Sequence, residues 1–217
     1  MNIAIDGPSG SGKSTIAKML SKQLGISYLD TGAMYRALAY YVLEKGIDPT
    51  DEEKIKPILQ GITMDVWTEN GVQQVSVNGK NVTPFIRENR ISMAASTVSK
   101  IPDVRLKLVN LQRKIAAKTD CVLDGRDIGS YVLPNADYKF YMTADSKVRA
   151  KRRQEELAIK GENIPFEVIL EDIKRRDTQD KNRAFAPLVI CNDAIVIDTS
   201  DLSIGEVCEK VKSYLCK

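Results

Sequence analysis

The chain has 217 residues, 43% of them hydrophobic, with 32 basic and 29 acidic side chains and a net charge of +3. That length supports one core with room for a minor appended domain, and the near-balanced charge gives no bulk electrostatic case for a nucleic-acid or membrane partner. Histidine is absent, which removes Ser-His-Asp hydrolysis, histidine general bases and histidine metal sites together. Cys121, Cys191, Cys208 and Cys216 form no CxxC pair, and no secretory apolar core opens the chain, so they read as reduced thiols of a cytoplasmic protein. No apolar run approaches the roughly 20 residues that cross a bilayer.

In chain order, residues 2–6 (NIAID) form a short apolar run ending at Gly7, the pattern of a buried parallel strand. A helix should start near Lys13, with Ile16, Leu20 and Leu24 spaced by four and Gly25 as its stop. Ile62, Met64 and Val66 then alternate with polar residues, and Asn70-Gly71 and Asn78-Gly79 flank Val75 and Val77, with Val82 beyond. Two Asn-Gly pairs predict a small antiparallel meander inserted into the α/β core. Further short strands are expected at 121–123, 138–142 and 194–197. Helical spacings run through Val104 to Ile115, Phe166 to Ile173 and Ile204 to Leu215, the last opened by a Ser203/Glu206 capping box. Strands alternating with helices predict a parallel sheet covered on both faces.

The strongest chemical signal is Gly7-Pro8-Ser9-Gly10-Ser11-Gly12-Lys13-Ser14, a full G-x-x-x-x-G-K-[ST] string, followed by Thr15, between a predicted strand and a predicted helix. Glycines let the backbone wrap a phosphate with its amides inward, and the helix N-terminus adds partial positive charge. Lys13 supplies a mobile full charge for the β/γ oxygens, and the Ser14 hydroxyl is placed to ligate Mg²⁺. A solvated Gly/Ser loop is the alternative, and it does not account for the strand-loop-helix context. Neither N-K-x-D nor D-x-x-G occurs, so a GTPase switch is disfavoured.

Four further clusters bear charge. Asp30-Thr31-Gly32-Ala33-Met34-Tyr35-Arg36 opens a helix, and Asp30 or Thr31 as N-cap explains part of it without function. Asp124-Gly125-Arg126-Asp127 ends a predicted core strand, where open α/β sheets bind ligands; a strand-ending turn with a local ion pair is the alternative. Arg149, Arg152 and Arg153 share one helix face, and residues 174–183 (KRRDTQDKNR) form a second basic run. Solvated helix faces would explain both.

Taken together, GPSGSGKST, LDTGAMYR, AAS followed by Arg105, LDGRDIG and RRDTQDKNRAFAPL resemble the bacterial-type cytidylate kinases, within the nucleoside monophosphate kinases. The resemblance runs from Ile3 to the C-terminus and implies a five-stranded parallel core (1–30, 100–145 and 163–217). It further implies an acceptor-binding domain (31–99) carrying the small β insert, and a short helical lid (146–162). It implies γ-phosphoryl transfer from ATP to CMP, and to dCMP, with Mg²⁺ held at Ser14. Arg36, Arg126 and Arg183 would hold the acceptor phosphate. Ser96, Arg105 and Asp127 would read cytosine with Tyr35 packing nearby, and Arg176 and Asp180 would contact the sugar. Thr31 stands where the family commonly has Ser, keeping the hydroxyl. Asp124 would sit near Mg²⁺, reached directly or through water, or would hold Arg126. Lys13, Arg126 and the lid arginines Arg149, Arg152 and Arg153 would neutralise charge during transfer, and a monomer is expected. A kinase of UMP or of a non-nucleotide alcohol, or a P-loop switch without an acceptor, are the competing readings.

Overall fold

A computed structural model describes residues 1–159 and 161–215; Cys216, one of the four thiols read above, and one position of the expected lid lie outside them. The chain forms two compact units, residues 1–28 with 119–217 and residues 29–118.

The first unit is built on β1 (Asn2–Asp6), α1 (Lys13–Leu24), β6 (Cys121–Gly125), β7 (Tyr138–Thr143), α6 (Ser146–Ile159), α7 (Phe166–Asn182), β8 (Ile195–Asp198) and α8 (Ile204–Leu215). With β2 (Ser27–Asp30), whose first two residues belong to this unit, the strands make one sheet in the order β2-β6-β1-β7-β8. β1 pairs in parallel with β6 and β7, and β7 with β8. β1 is therefore central, and every residue of it after Asn2 is buried. Ile3, Ile5, Phe140, Met142 and Ile197 pack from the sheet against Ile16, Leu20, Val207 and Val211 of the flanking helices. Gly25, at φ 67°, stops α1 as the sequence suggests, and Ser203 and Glu206 exchange hydrogen bonds at the start of α8. A second cluster joins Ala150 and Leu157 of α6 to Ile169, Leu170 and Ile173 of α7. Between β6 and β7 lies a five-residue π-helical turn, Ile128–Val132.

The second unit holds α2 (Thr31–Glu44), α3 (Glu52–Gln60), the meander β3 (Met64–Glu69), β4 (Val72–Val77) and β5 (Lys80–Asn81), then α4 (Asn89–Val98) and α5 (Pro102–Ala116). Asn70-Gly71 and Asn78-Gly79 both take positive φ, the conformation a two-residue hairpin turn needs. β5 stops before Val82, which the alternation had suggested as strand. This unit runs on to residue 118, beyond the expected boundary near 99, because α5 packs on α2 and α3. Arg105 and Gln112 of α5 are buried alongside Val104 and Leu108.

Candidate active site

The phosphate-binding string leaves the end of β1, the central strand, and enters α1. Gly7 is required by space: at φ 145° an added Cβ would lie 1.9 Å from the Met142 carbonyl oxygen on β7. Inside the loop, Lys13 is buried, and its Nζ donates to the Pro8 carbonyl at 2.5 Å and to Ser11 Oγ at 3.2 Å. Burial, reinforced by the Arg126 charge, pushes the Lys13 ammonium down to about 7. An anion in the loop would oppose both effects.

Asp124, near the end of β6 and buried, receives hydrogen bonds on both oxygens. Ser14 Oγ donates to Oδ2 at 2.7 Å and the Tyr28 hydroxyl to Oδ1 at 2.8 Å. Asp124 thus lies beside Ser14, and its charge also favours the Arg126 guanidinium. The Arg126 Nε instead donates to Asp180 Oδ2 at 2.8 Å, and Nη1 to the Gly125 carbonyl.

Arg126, Arg153 and Arg176 form a guanidinium cluster in this unit. Arg176 is held below its ordinary value first by burial and then by the Arg126 charge, with Arg153 adding to it. Its approach to Asp172 is long, 3.9 Å. Burial also works against the charge of Arg126, but Asp180, with Asp124 and Asp177 adding to it, raises that guanidinium. Arg183 lies 3.4 Å from Asp127 and 3.9 Å from Asp180, and its Nε donates to the Ala186 carbonyl. Five of the expected acceptor residues, Arg126, Asp127, Arg176, Asp180 and Arg183, thus belong to one charged network.

Arg149 and Arg152 take a different place. Arg149 is buried, with Nη1 and Nη2 on the two oxygens of Asp177 (3.1 and 2.6 Å), Nε on the Ala144 carbonyl and Nη1 also 3.1 Å from the Ser9 carbonyl of the phosphate loop. Arg152 donates to Thr199 O and Oγ1, and the Thr199 hydroxyl donates to the Ser11 carbonyl. Arg149 reaches the loop directly and Arg152 only through Thr199. Arg153 pairs with Glu156 at 2.9 Å.

In the second unit, Asp30 caps α2 by accepting from the Ala33 amide and takes Arg36 Nη2 at 2.9 Å. Burial alone would raise the Asp30 carboxyl; Arg36 and the Ala33 amide bring it below its ordinary value. Arg36 Nε is buried without a hydrogen-bond partner among the described residues, an open donor of the kind a ligand oxygen satisfies. Gly32 makes room for this guanidinium, since a Cβ there would sit 3.0 Å from Arg36 Nη1. Thr31 is buried in the same first turn. Arg105 is 1% exposed, lies 5.5 Å from the Tyr35 ring centroid and donates to the Ser99 carbonyl. Ser96 is half-buried on α4, and its carbonyl accepts from Ser99 Oγ.

Sequence reasoning missed Asp6, Tyr28, Gly32, Asp177 and Thr199. Gly32 and Asp177 stood inside quoted motifs without a role. The other three carry no local signal, because their partners lie 47 or more positions away.

The cytidylate kinase family model matches residues 3–217. A cytidylate kinase from Caldicellulosiruptor bescii is 49% identical over 217 residues, covering 100% of this chain and 96% of the relative. One from Bacillus subtilis is 44% identical over 211 residues, covering 97% and 94%. Among solved structures, a shikimate kinase from Bacteroides thetaiotaomicron superposes with a TM-score of 0.51 at 12% identity, over 100% of this chain and 99% of that one. A gluconokinase from Sinorhizobium meliloti gives 0.51 at 13% identity, over 99% and 91%. At such identities these structures speak to the fold alone.

Proposed function

The chain belongs to the cytidylate kinase family, and from that premise we propose how its side chains divide the work of moving the γ-phosphoryl group of ATP onto CMP. The products are CDP and ADP. What supports the residue assignment is the Lys13–Ser14–Asp124 cradle, with Lys13 buried in the loop and Ser14 Oγ 2.7 Å from Asp124 Oδ2. The same unit holds Arg176, whose guanidinium burial and the Arg126 charge hold below its ordinary value.

ATP's phosphates take the loop Gly7 to Thr15, and Lys13 exchanges its contacts with Pro8 and Ser11 for β/γ oxygens. Ser14 and Asp124 are hard oxygen donors 2.7 Å apart, and among the described residues no group of three or more Asp, Glu or Cys could hold a metal. That combination suits Mg²⁺, which is bound by one or two protein groups with substrate phosphates and water completing the shell. When bound, Mg²⁺ supplies charge neutralisation between the phosphates. Arg126, Arg183 and Arg36 hold the CMP phosphate, Arg176 and Asp180 the sugar, and Asp127, Ser96 and Arg105 the cytosine edge. A carboxylate accepting from the N4 amino group beside a donor to N3 favours cytosine, since uracil reverses that pair and leaves buried groups unmatched. The CMP phosphate has a second pKa near 6, so it is already ionised at neutral pH and needs no base. The protein's share is alignment and charge neutralisation. dCMP is accepted as well, and the enzyme works as a cytoplasmic monomer; among the described residues, no helix is long and apolar enough to cross a membrane.

The test is ADP release with CMP, dCMP, UMP, AMP and GMP as acceptors. CMP and dCMP should be used far better than the others. Equal turnover of all of them would remove the base-reading roles while leaving a kinase.

A further inference from the structure

The sequence around Asp6 gives it no task beyond ending a strand, yet its carboxylate is the cap of a turn 122 positions away. Asp6 is 5% exposed, and its Oδ1 accepts from the Ile128 amide at 2.8 Å while Oδ2 accepts from the Gly129 amide at 2.7 Å. Those amides open the π-helical turn, and the residue before it, Asp127, gives it no side-chain cap. First-turn amides without a partner are costly when buried. The Asp127 carbonyl in turn accepts from the Tyr131 and Val132 amides, so the backbone of Asp127 is held from both sides, at φ −144° and ψ 27°. Gly129 fits because it lacks a side chain; a Cβ there would meet Lys139 Cδ at 3.1 Å and Asp6 Oδ2 at 3.4 Å.

We propose that Asp6 is a positioning residue for the acceptor: its carboxylate fixes the Arg126–Asp127 segment, and through it the recognition of the cytosine base and acceptor phosphate. This rests on the cytidylate kinase reading of Arg126 and Asp127. The site is expensive to keep. Burial pushes the Asp6 carboxyl up to about 6 against the two amides, with Asp127 adding to the rise and Lys13 opposing it; Tyr141 and Cys191 feel its charge, and the side chain of Lys139 lies across Gly129. An apolar residue would remove that penalty but leave the turn uncapped. Asp6 also precedes Gly7 directly, so one residue ties the origin of the phosphate loop to the acceptor-reading turn. Its own backbone is pinned independently, by pairing opposite Gly125 and Tyr141.

The experiment compares wild type, Asp6→Asn and Val211→Ala, a core truncation in α8 that matches loss of stability without touching the site. Initial rates are measured against CMP, UMP and ATP below the melting temperature of each protein. An asparagine can accept only one of the two amides and turns its own NH₂ toward the other. The expected result is a fall on the order of 10- to 100-fold in kcat/KM for CMP, with the preference for CMP over UMP narrowed and KM for ATP within about twofold of wild type. Equal losses for CMP and UMP accompanied by a raised KM for ATP would overturn the proposal, as would kinetics matching those of Val211→Ala. If Asp6→Asn does not fold, Gly129→Ala decides: it keeps the carboxylate but crowds it, and must narrow the same preference. Failure of wild type itself to use CMP would instead refute the family reading, independently of Asp6.

Discussion

Arg149 can be assigned to the transferring phosphate or to the loop that holds it, and a double-mutant cycle with Asp177 distinguishes the two. The pair is bidentate, at 3.1 and 2.6 Å, with side chains 5% and 19% exposed. Removing one partner of such a pair leaves an uncompensated buried charge, costing about 3–5 kcal/mol, whereas replacing both costs much less. Asp177→Asn and Arg149→Met should therefore each lower Tm by roughly 6–20 °C in a chain of this size. The double variant should recover about 2 kcal/mol or more of the summed loss. Because Arg149 Nη1 also reaches the Ser9 carbonyl, both single variants should raise KM for ATP by about tenfold through a loosened loop, with smaller changes in kcat. Urea unfolding and initial rates against ATP read the two effects separately. Additive stabilities would show that the ion pair is not coupled. A collapse of kcat in Arg149→Met with Asp177→Asn near wild type would refute the bracing role and give Arg149 a direct one at the reacting phosphate.

Three further outcomes follow from the same geometry. Lys13→Ala should lower kcat by at least about 100-fold, because its interaction strengthens as charge moves onto the transferring group; an effect confined to KM for ATP in steady-state rates would show uniform binding instead. Asp127→Asn should weaken CMP use by about 10-fold more than UMP use, since only the carboxylate discriminates the N4 amino group; equal losses in a two-substrate comparison would remove Asp127 from base reading. Asp6 has a folded-state carboxyl near 6 against an ordinary 3.8, so its stabilising, protonated form is complete below pH 3.8 and lost as pH climbs through 6. Wild type should lose about 3 kcal/mol relative to Asp6→Asn between those limits. Urea midpoints from pH 4.5 to 7.5 would carry part of this slope, and parallel curves for the two proteins would contradict it.

The elements legible in the sequence are those whose signal is local. The phosphate-loop string, the Gly25 stop, both Asn-Gly turns and the Ser203/Glu206 box each lie within a few residues of their own partners, and each appears as expected. β2 escaped notice because only Leu29 and Asp30 of its four residues are buried, too few to show a period. α4 follows the meander through the Pro84-Phe85 turn and has no side-chain cap, so nothing marked its start. The π-helical turn is capped by a carboxylate on another strand, a device no window of sequence contains.

The arginines show most clearly where local reading stops. In sequence, Arg149, Arg152 and Arg153 are one basic helix face, and a common role in neutralising phosphate charge is the economical reading. Folding gives them different acceptors: Asp177 and the Ser9 carbonyl for Arg149, Thr199 for Arg152, Glu156 for Arg153. A guanidinium whose donors are spent on buried protein oxygens gains little from an arriving phosphate, because each new bond replaces one already made. One with an orphaned donor, such as Arg36 Nε, or one disfavoured by burial and by like charge, such as Arg176, gains the whole difference. Affinity for the nucleotides should therefore follow the unsatisfied and mutually repelling arginines more than the number of arginines. On that basis Arg36→Lys and Arg176→Lys should cost more in KM for CMP than Arg152→Lys, a ranking that a three-variant titration against CMP can reverse.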